Sequence, residues 1–337
     1  MTTYPAGKLP HAELARLISA YTHHNDRLLV PPTLGEDAAV IEFGDRLLVA
    51  KTDPITFATD EIGWYAVHVN ANDIAAMGAI PRFFLSTILL PADQATPALT
   101  ESIFRSVHEA ATSLDITVCG GHTEITHGID RPLLIGQIFG ETTRDQLIRS
   151  SGLEPGHALI LSKGLGIEAT ATIAREKRDD LLARGYDADT LTACAEFLHT
   201  PGISVVEDAQ IATSAGCVTA MHDPTEGGVA TGLFELATAS HVGLEIDYHA
   251  LAIAPETARL CSEYDLDPLG IISSGALLIG CEDTATDAIL DALHNSEIAA
   301  NRIGIARENS FGLRINYDGH LKPLPSFASD EITHLFS

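Results

Sequence analysis

Two α/β sandwich domains, an α+β fold of mixed helices and strands, are what this sequence predicts. Three observations lead there. The chain has 337 residues, enough for two cores rather than one. Its apolar share is 45% and its charged share 20%, a globular rather than a disordered balance. Strand and helix patterns alternate on both sides of Ser150-Ser151-Gly152-Leu153-Glu154-Pro155-Gly156, which reads as linker and turn. The expected domains are residues 1–148 and 149–337.

In the first half, Leu14, Leu17 and Ile18 give residues 11 to 21 a helical spacing. Ala38–Phe43 and Arg46–Lys51 flank Gly44-Asp45, a hairpin turn that starts with glycine. Ile62 to Met77 reads as a helix, with Ile62, Ala66, Val69 and Ala76 near one face and Gly78 to stop it. The strand Phe83–Leu90, a helix near Pro97–Ser113 and two strands, Ile116–Cys119 and Leu133–Phe139, follow. Between those two strands, Gly120 to Arg131 reads as a polar loop.

In the second half, the strand His157–Ser162 leads into the loop Lys163-Gly164-Leu165-Gly166 and a helix from about Ile167. Residues 176 to 200 are charged, then helical. The strand Val218–Met221 precedes His222-Asp223-Pro224-Thr225-Glu226-Gly227-Gly228 and a helix through Ala239. Leu244–Asp247, Ala276–Gly280 and Arg302–Ala306 read as strands, with a helix over Thr284–His294 between the last two.

Charge narrows the function classes. The formal net charge is −26, and only five residues are Lys. Such a chain has no footprint for nucleic acid or for an anionic membrane surface. The cluster Arg175-Glu176-Lys177-Arg178 is offset by Asp179 and Asp180. Acidity of this kind serves ordinary solubility; a halophilic source, where it keeps a protein dispersed at high salt, is the other reading. The first ten residues carry no apolar signal segment, and no apolar run reaches membrane-spanning length. Five scattered Cys without a C-x-x-C pair fit a reduced, cytoplasmic compartment.

Four clusters place polar residues where the chain leaves an apolar element. They are Gly35-Glu36-Asp37-Ala38-Ala39, Lys51-Thr52-Asp53-Pro54, Asn70-Ala71-Asn72-Asp73 and Cys119-Gly120-Gly121-His122-Thr123-Glu124. Each alone is common as a solvated turn or helix face. Together they supply hard carboxylate oxygens from separate segments, which is what Mg²⁺ requires, and glycine N–H groups that can meet phosphate. Asn and Asp inside an Ala/Val helix also demand a reason.

In this order the clusters resemble the AIR synthase-related superfamily. Its pattern is a G-D-D-A-A turn, a T-T-D strand end, an N-D helix followed by A-x-M-G-A, and a G-G-D-T or G-G-E-T turn. Here these read Gly35-Glu36-Asp37-Ala38-Ala39, Lys51-Thr52-Asp53, Asn72-Asp73-Ile74-Ala75-Ala76-Met77-Gly78-Ala79 and Gly120-Gly121-His122-Thr123. Met221-His222-Asp223-Pro224-Thr225-Glu226-Gly227-Gly228 resembles the M-R-D-P-T-R-G-G stretch of the hydrogenase maturation (HypE) branch. Ser273-Ser274-Gly275-Ala276-Leu277-Leu278-Ile279 is similar to that branch's S-E-G-x-L-L-I.

The resemblance implies a two-domain PurM-like fold, with N-terminal domains that pair into a dimeric β-barrel. It implies ATP and Mg²⁺ as cofactors and phosphoryl transfer to a carbonyl- or carbamoyl-type oxygen, with hydrogenase or metallocentre maturation as the setting. Carried over residue by residue, Glu36, Asp37, Asp53 and Asp73 are metal ligands, and Asn72 meets phosphate or ribose. Gly120, Gly121 and Thr123 form a phosphate turn. Lys51 and Lys163 are candidates to neutralise phosphate, and Asp223 with Gly227 and Gly228 to contact substrate or phosphate. Asp73, His122 and Glu124 are the catalytic candidates. His122 stands where the pattern has an acid. It serves as base, softer ligand or structural imidazole, or else Glu124 supplies the missing carboxylate.

No Cys follows Cys281, so the tail thiol that the HypE branch modifies is not expected here, and the hydroxyl of Ser337 is no substitute. Lys8 is only a weak counterpart of a reactive N-terminal residue. The partners expected are a second copy and a small or protein-borne carbamoyl substrate. Two other readings are a thiamine-monophosphate-type kinase and an ATP-binding assembly subunit of low turnover.

Overall fold

The computed structural model describes residue 4 and residues 9–33, 35–56, 58 and 60–336. Lys8 and Ser337 lie outside the described residues.

The first half begins with α1 (His11–Tyr21), β1 (Leu28–Val30), β2 (Ala39–Phe43), β3 (Arg46–Ile55) and α2 (Ile62–Ala76). It continues with β4 (Ile80–Pro91), α3 (Pro97–Ser113), β5 (Thr117–Thr126) and β6 (Leu133–Thr142). Its sheet has the order β1-β2-β3-β6-β4-β5, antiparallel except for the β4–β5 pair. The Gly44-Asp45 hairpin is present, with Phe43 opposite Arg46. The expected polar loop is mostly strand. β5 runs through Gly120 to Thr126 as a sheet edge, exposed along nearly its whole length. Its polar residues look like loop because neither face is covered within the protomer, so the alternation that marks a half-buried strand is missing.

α2 is buried at almost every position, Asn70, Asn72 and Asp73 included. An all-round buried helix must be covered on both sides. One side lies on the sheet. Gly136 and Gly140 of β6 sit directly beneath Asn70 and Ile74, at positions where a Cβ would meet those side chains at 2.4 and 2.2 Å. The other side meets the second half.

That half runs β7 (Ala158–Ser162), α4 (Ile167–Glu176), α5 (Arg178–Ala183), α6 (Ala188–Ala195), α7 (Val206–Ala215), β8 (Val218–His222) and α8 (Gly228–Ser240). It ends with β9 (Gly243–Asp247), α9 (Pro255–Glu263), β10 (Leu278–Cys281), α10 (Thr286–Asn295), β11 (Ala300–Arg307), β12 (Leu313–Tyr317) and β13 (His320–Pro323). The sheet order is β13-β12-β9-β11-β7-β10-β8. β7 shows the layering. Ala158 and Ile160 join the core shared with the first half, while Leu159 and Leu161 pack under α8. A strand buried on both faces reads as a continuous apolar run, as this one does.

The two halves are tied by buried hydrogen bonds. Asn72 Nδ2 donates to the Ile203 carbonyl at 2.8 Å, and the Val205 N–H donates to Asn72 Oδ1 at 2.8 Å. The Tyr65 hydroxyl meets Thr172 Oγ1 at 3.3 Å. Among the described residues no helix is long and apolar enough to cross a membrane.

Candidate functional site

The site gathers where β3, α2, the Gly35–Asp37 turn and the end of β8 converge. Lys51 and Asp53 alternate with outward residues on β3 and point toward α2. Asn70 fixes that strand end. The Asp53 N–H donates to Asn70 Oδ1 at 2.9 Å, and Asn70 Nδ2 donates to the Ala66 carbonyl at 2.8 Å. Lys51 Nζ then reaches Asp73 Oδ1 at 2.8 Å and Asp53 Oδ2 at 3.3 Å. Gly35, with φ +85°, lets the turn close on α8, where a Cβ would stand 2.8 Å from the Glu235 carbonyl.

Asp37, Asp73 and Asp223 meet here from three segments, each with an oxygen within 4.8 Å of the others. They are 7%, 4% and 3% exposed. His222 braces the first of them. Its Nδ1 lies 2.5 Å from Asp37 Oδ1, and its Nε2 lies 3.0 Å from Glu235 Oε2. Among the described residues, Asp73 Oδ2 and both oxygens of Asp223 have no hydrogen-bond partner.

Electrostatics follow from this crowding. Burial, Asp37 and Asp53 push Asp223 up to about 8, against the pull of His222 and Lys51. Burial first, and then Asp223, Asp53 and Asp37, raise Asp73 well above the usual carboxylate range despite Lys51. Burial opposes the charges of Lys51 and His222, yet the acids around them hold both pKa values well above normal. Three buried acids, two of them with orphaned oxygens, are a costly arrangement for the protein alone. Their hard oxygens suit a divalent cation such as Mg²⁺, and the donor set fits one.

Of the residues singled out in the sequence, the structure brings Lys51, Asp37, Asp53, Asp73 and Asp223 together. Others go elsewhere. Glu36 is held by Arg149 Nη2 at 2.8 Å and Ser151 Oγ at 2.9 Å. Lys163 Nζ is committed to Asp208 at 2.9 Å and to the Ser204 carbonyl. Asn72, expected at phosphate or ribose, is wholly buried and spends both ends of its amide on the domain junction. The glycine start of α8 is already capped, with the Gly227 N–H donating to Asp330 Oδ2 at 2.6 Å and that of Gly228 to the Thr225 carbonyl.

Gly120, Gly121 and Thr123 lie in β5, not in a turn. His122 pairs with Thr87 and Glu124 with Leu89 across the ladder, on the sheet face opposite α2. The two touch each other at 3.3 Å and are 67% and 58% exposed. Within one protomer they do not meet the acid cluster. Sequence reasoning also missed His222 and Glu235. The signal for His222 was its place beside Asp223, where the family pattern has Arg. Glu235 lies mid-helix in α8 and carries no local signal.

Fold and site together define a class: a two-domain α/β protein whose buried acid cluster is suited to a metal-bound phosphate. The fold has known relatives. The AIR synthase related protein, N-terminal domain, matches residues 35–142, and its C-terminal domain matches residues 154–331. The chain belongs to the AIR synthase-related family. It is similar to the carbamoyl dehydratase HypE of Escherichia coli, 28% identical over 305 residues, which is 86% of each chain. A crystal structure of E. coli HypE superposes with a TM-score of 0.74 at 25% identity, over 96% of this chain and 99% of that one. A HypE structure in complex with ATP has a TM-score of 0.72 at 23% identity, over 96% and 97%. The two-domain PurM-like fold expected from the sequence is thereby established.

Proposed function

We propose that the chain binds ATP with Mg²⁺ at the Asp37–Asp73–Asp223 cluster and phosphorylates a carbonyl- or carbamoyl-type oxygen, as the activating half of a dehydration. The observation that carries this reading is the trio of unpartnered, buried carboxylate oxygens beside Lys51. Relatives named carbamoyl dehydratase and a structural neighbour holding ATP support it. Phosphoryl transfer asks the protein chiefly for positioning and charge neutralisation.

Each residue has a task. Asp37, Asp73 and Asp223 would hold the cation, which supplies neutralisation of phosphate charge when bound. Lys51 holds Asp73 in place and offers the one ammonium group in the cluster. His222, clamped between Asp37 and Glu235, fixes the Asp37 carboxylate. Asn70 anchors the β3 end that carries Asp53.

A second copy is part of the proposal. Helices cover one face of the first sheet. The other face shows Phe83, and β5 shows Val118 and Ile125, all exposed. A long unpaired edge with apolar residues invites another strand. Joining two β5 edges would place His122 and Glu124 at the seam, the setting in which either could act. The free cysteines agree with a reducing, cytoplasmic compartment.

ADP release measured with ethyl carbamate, S-ethyl thiocarbamate or thiamine monophosphate as acceptor tests the reading. Mg²⁺-dependent release with a carbamoyl compound is expected. Release with thiamine monophosphate alone would favour the kinase reading and contradict this one.

A further inference from the structure

Three segments of the second domain end at one edge of its sheet. β10 runs antiparallel to both β7 and β8, with Leu278 opposite Leu161 on one side and His222 on the other. The chain leaving β7, the chain leaving β8 and the chain entering β10 therefore meet beside the acid cluster. They are laced together. The Gly166 N–H donates to Ser273 Oγ at 3.1 Å, and the Ser273 N–H donates to the Thr225 carbonyl at 3.4 Å.

Beside this junction sits Glu168, in the first turn of α4. It is 8% exposed, and its Oε2 has no hydrogen-bond partner among the described residues. Ser274 is fully buried beside it, near enough to lower its pKa, while its Oγ closes no hydrogen bond of good geometry among the described residues. The family pattern has Glu where Ser274 stands, so Glu168 brings a carboxylate to the place from which one is missing. A buried carboxylate oxygen left unmet costs about 1–3 kcal/mol, which a purely structural residue has no reason to retain.

The surroundings are acidic. Burial pushes the Glu168 carboxyl up to about 7; Ser274 lowers it, and Asp330 and Glu226 raise it further. No cation is among these influences. Tyr65 faces Glu168 from α2 and feels its charge. Tyr65 and Asp73 lie eight residues apart on that helix, roughly 12 Å at the helical rise. The acid cluster thus lies toward one end of α2 and Glu168 toward the other.

We propose that Glu168 and Ser274 form the acceptor end of the site, recognising an uncharged amide or carbamoyl group through its N–H, with Glu168 as the residue that takes the proton. This rests on the ATP-dependent reading above. As the acceptor oxygen bonds to the γ-phosphorus, the bond to the bridging oxygen breaks and leaves its electron pair on ADP. One N–H proton passes from the acceptor to the Glu168 carboxylate, and a C=N bond forms. The acids Glu168, Glu226 and Asp330 repel acceptors that carry a phosphate of their own.

The test uses full-length protein loaded with Mg²⁺ and a non-hydrolysable ATP analogue whose own binding is first measured by calorimetry. Ethyl carbamate and thiamine monophosphate are then titrated by saturation-transfer NMR. The wild type is expected to bind ethyl carbamate and not thiamine monophosphate. Glu168→Gln should keep the nucleotide within about twofold yet lose more than about tenfold in carbamate affinity. Glu168→Asp should retain part of it. ADP release by the wild type should rise with pH through a limb near 7 that Glu168→Gln lacks. Carbamate binding retained in Glu168→Gln, or preference of the wild type for the phosphate ester, would overturn the proposal. Nucleotide failing to bind the wild type would overturn the ATP reading, and the proposal with it.

Discussion

Lys51 Nζ lies 2.8 Å from Asp73 Oδ1, a pair with side chains 23% and 6% exposed, and it also reaches Asp53. This places one ammonium group among buried acids that would otherwise repel one another. Lys51→Met keeps the aliphatic bulk and removes the charge. It should destabilise the fold by about 3 kcal/mol at neutral pH, since a lone buried charge is left behind. Urea unfolding measures this. Wild-type stability in Lys51→Met would show that the pair contributes nothing.

A cation that binds the native cluster and not the unfolded chain must raise stability by mass action. Millimolar Mg²⁺ should therefore raise the melting temperature of the wild type. Asp223→Asn removes a ligand oxygen and a repelling charge together. It should melt at or above the wild-type temperature without Mg²⁺ and respond little to it. An equal Mg²⁺ response in both proteins would remove Asp223 from the site.

Asn72 predicts a structural cost. Asn72→Leu strands the Ile203 carbonyl and the Val205 N–H inside the junction. A loss of about 2–4 kcal/mol follows, because two buried groups lose their partners. Denaturant curves check it. An unchanged midpoint would mean that the junction rearranges freely.

Glu168 predicts a pH dependence with a definite sign. Its carboxyl titrates near 7 when folded against an ordinary 4.5. Between those values the native state holds a proton that the unfolded chain has released. Stability therefore falls as pH rises through this window and stays lowered above it. Glu168→Gln removes the penalty. It should be more stable than the wild type by up to about 3 kcal/mol at pH 8 and nearly equal to it at pH 4. The same difference at both pH values would contradict the assigned burial cost.

The exposed edge predicts assembly. Light scattering should find twice the 35.8 kDa chain mass, and Ile125→Asp on β5 should shift it toward the monomer. A wild-type monomer at micromolar concentration would contradict the pairing.

Much of this was legible in the sequence because local chemistry and fold agree there. The α2 helix is a long apolar stretch stopped by Gly78, Gly44-Asp45 is a glycine-led turn, the buried strands are short continuous apolar runs, and Asp37, Asp53 and Asp73 sit in motifs of fixed order. β5 was misread because its side chains face solvent on both sides, and its glycines suggested a turn. α7, α9 and the β12–β13 hairpin were not read at all. Pro255 at the start of α9 and the Asp318-Gly319 turn were the available signals. Asn72 was read as a phosphate or ribose contact from a motif, and Lys163 as a phosphate partner because Lys is scarce; neither signal says where a side chain goes. Asn72 points to the junction and Lys163 to Asp208, relations more than forty residues apart in sequence. Glu168 and Ser274 meet only when two such distant loops close on one sheet edge.

The central claim is that Asp37, Asp73 and Asp223 hold a metal-bound nucleotide. Calorimetric titration of the Mg²⁺ complex of a non-hydrolysable ATP analogue into wild type and Asp73→Asn tests it most directly. One nucleotide per chain, bound only with Mg²⁺ and weakened at least about thirtyfold in a folded Asp73→Asn, is the predicted result. Equal affinity in the two proteins, or binding indifferent to Mg²⁺, would contradict it.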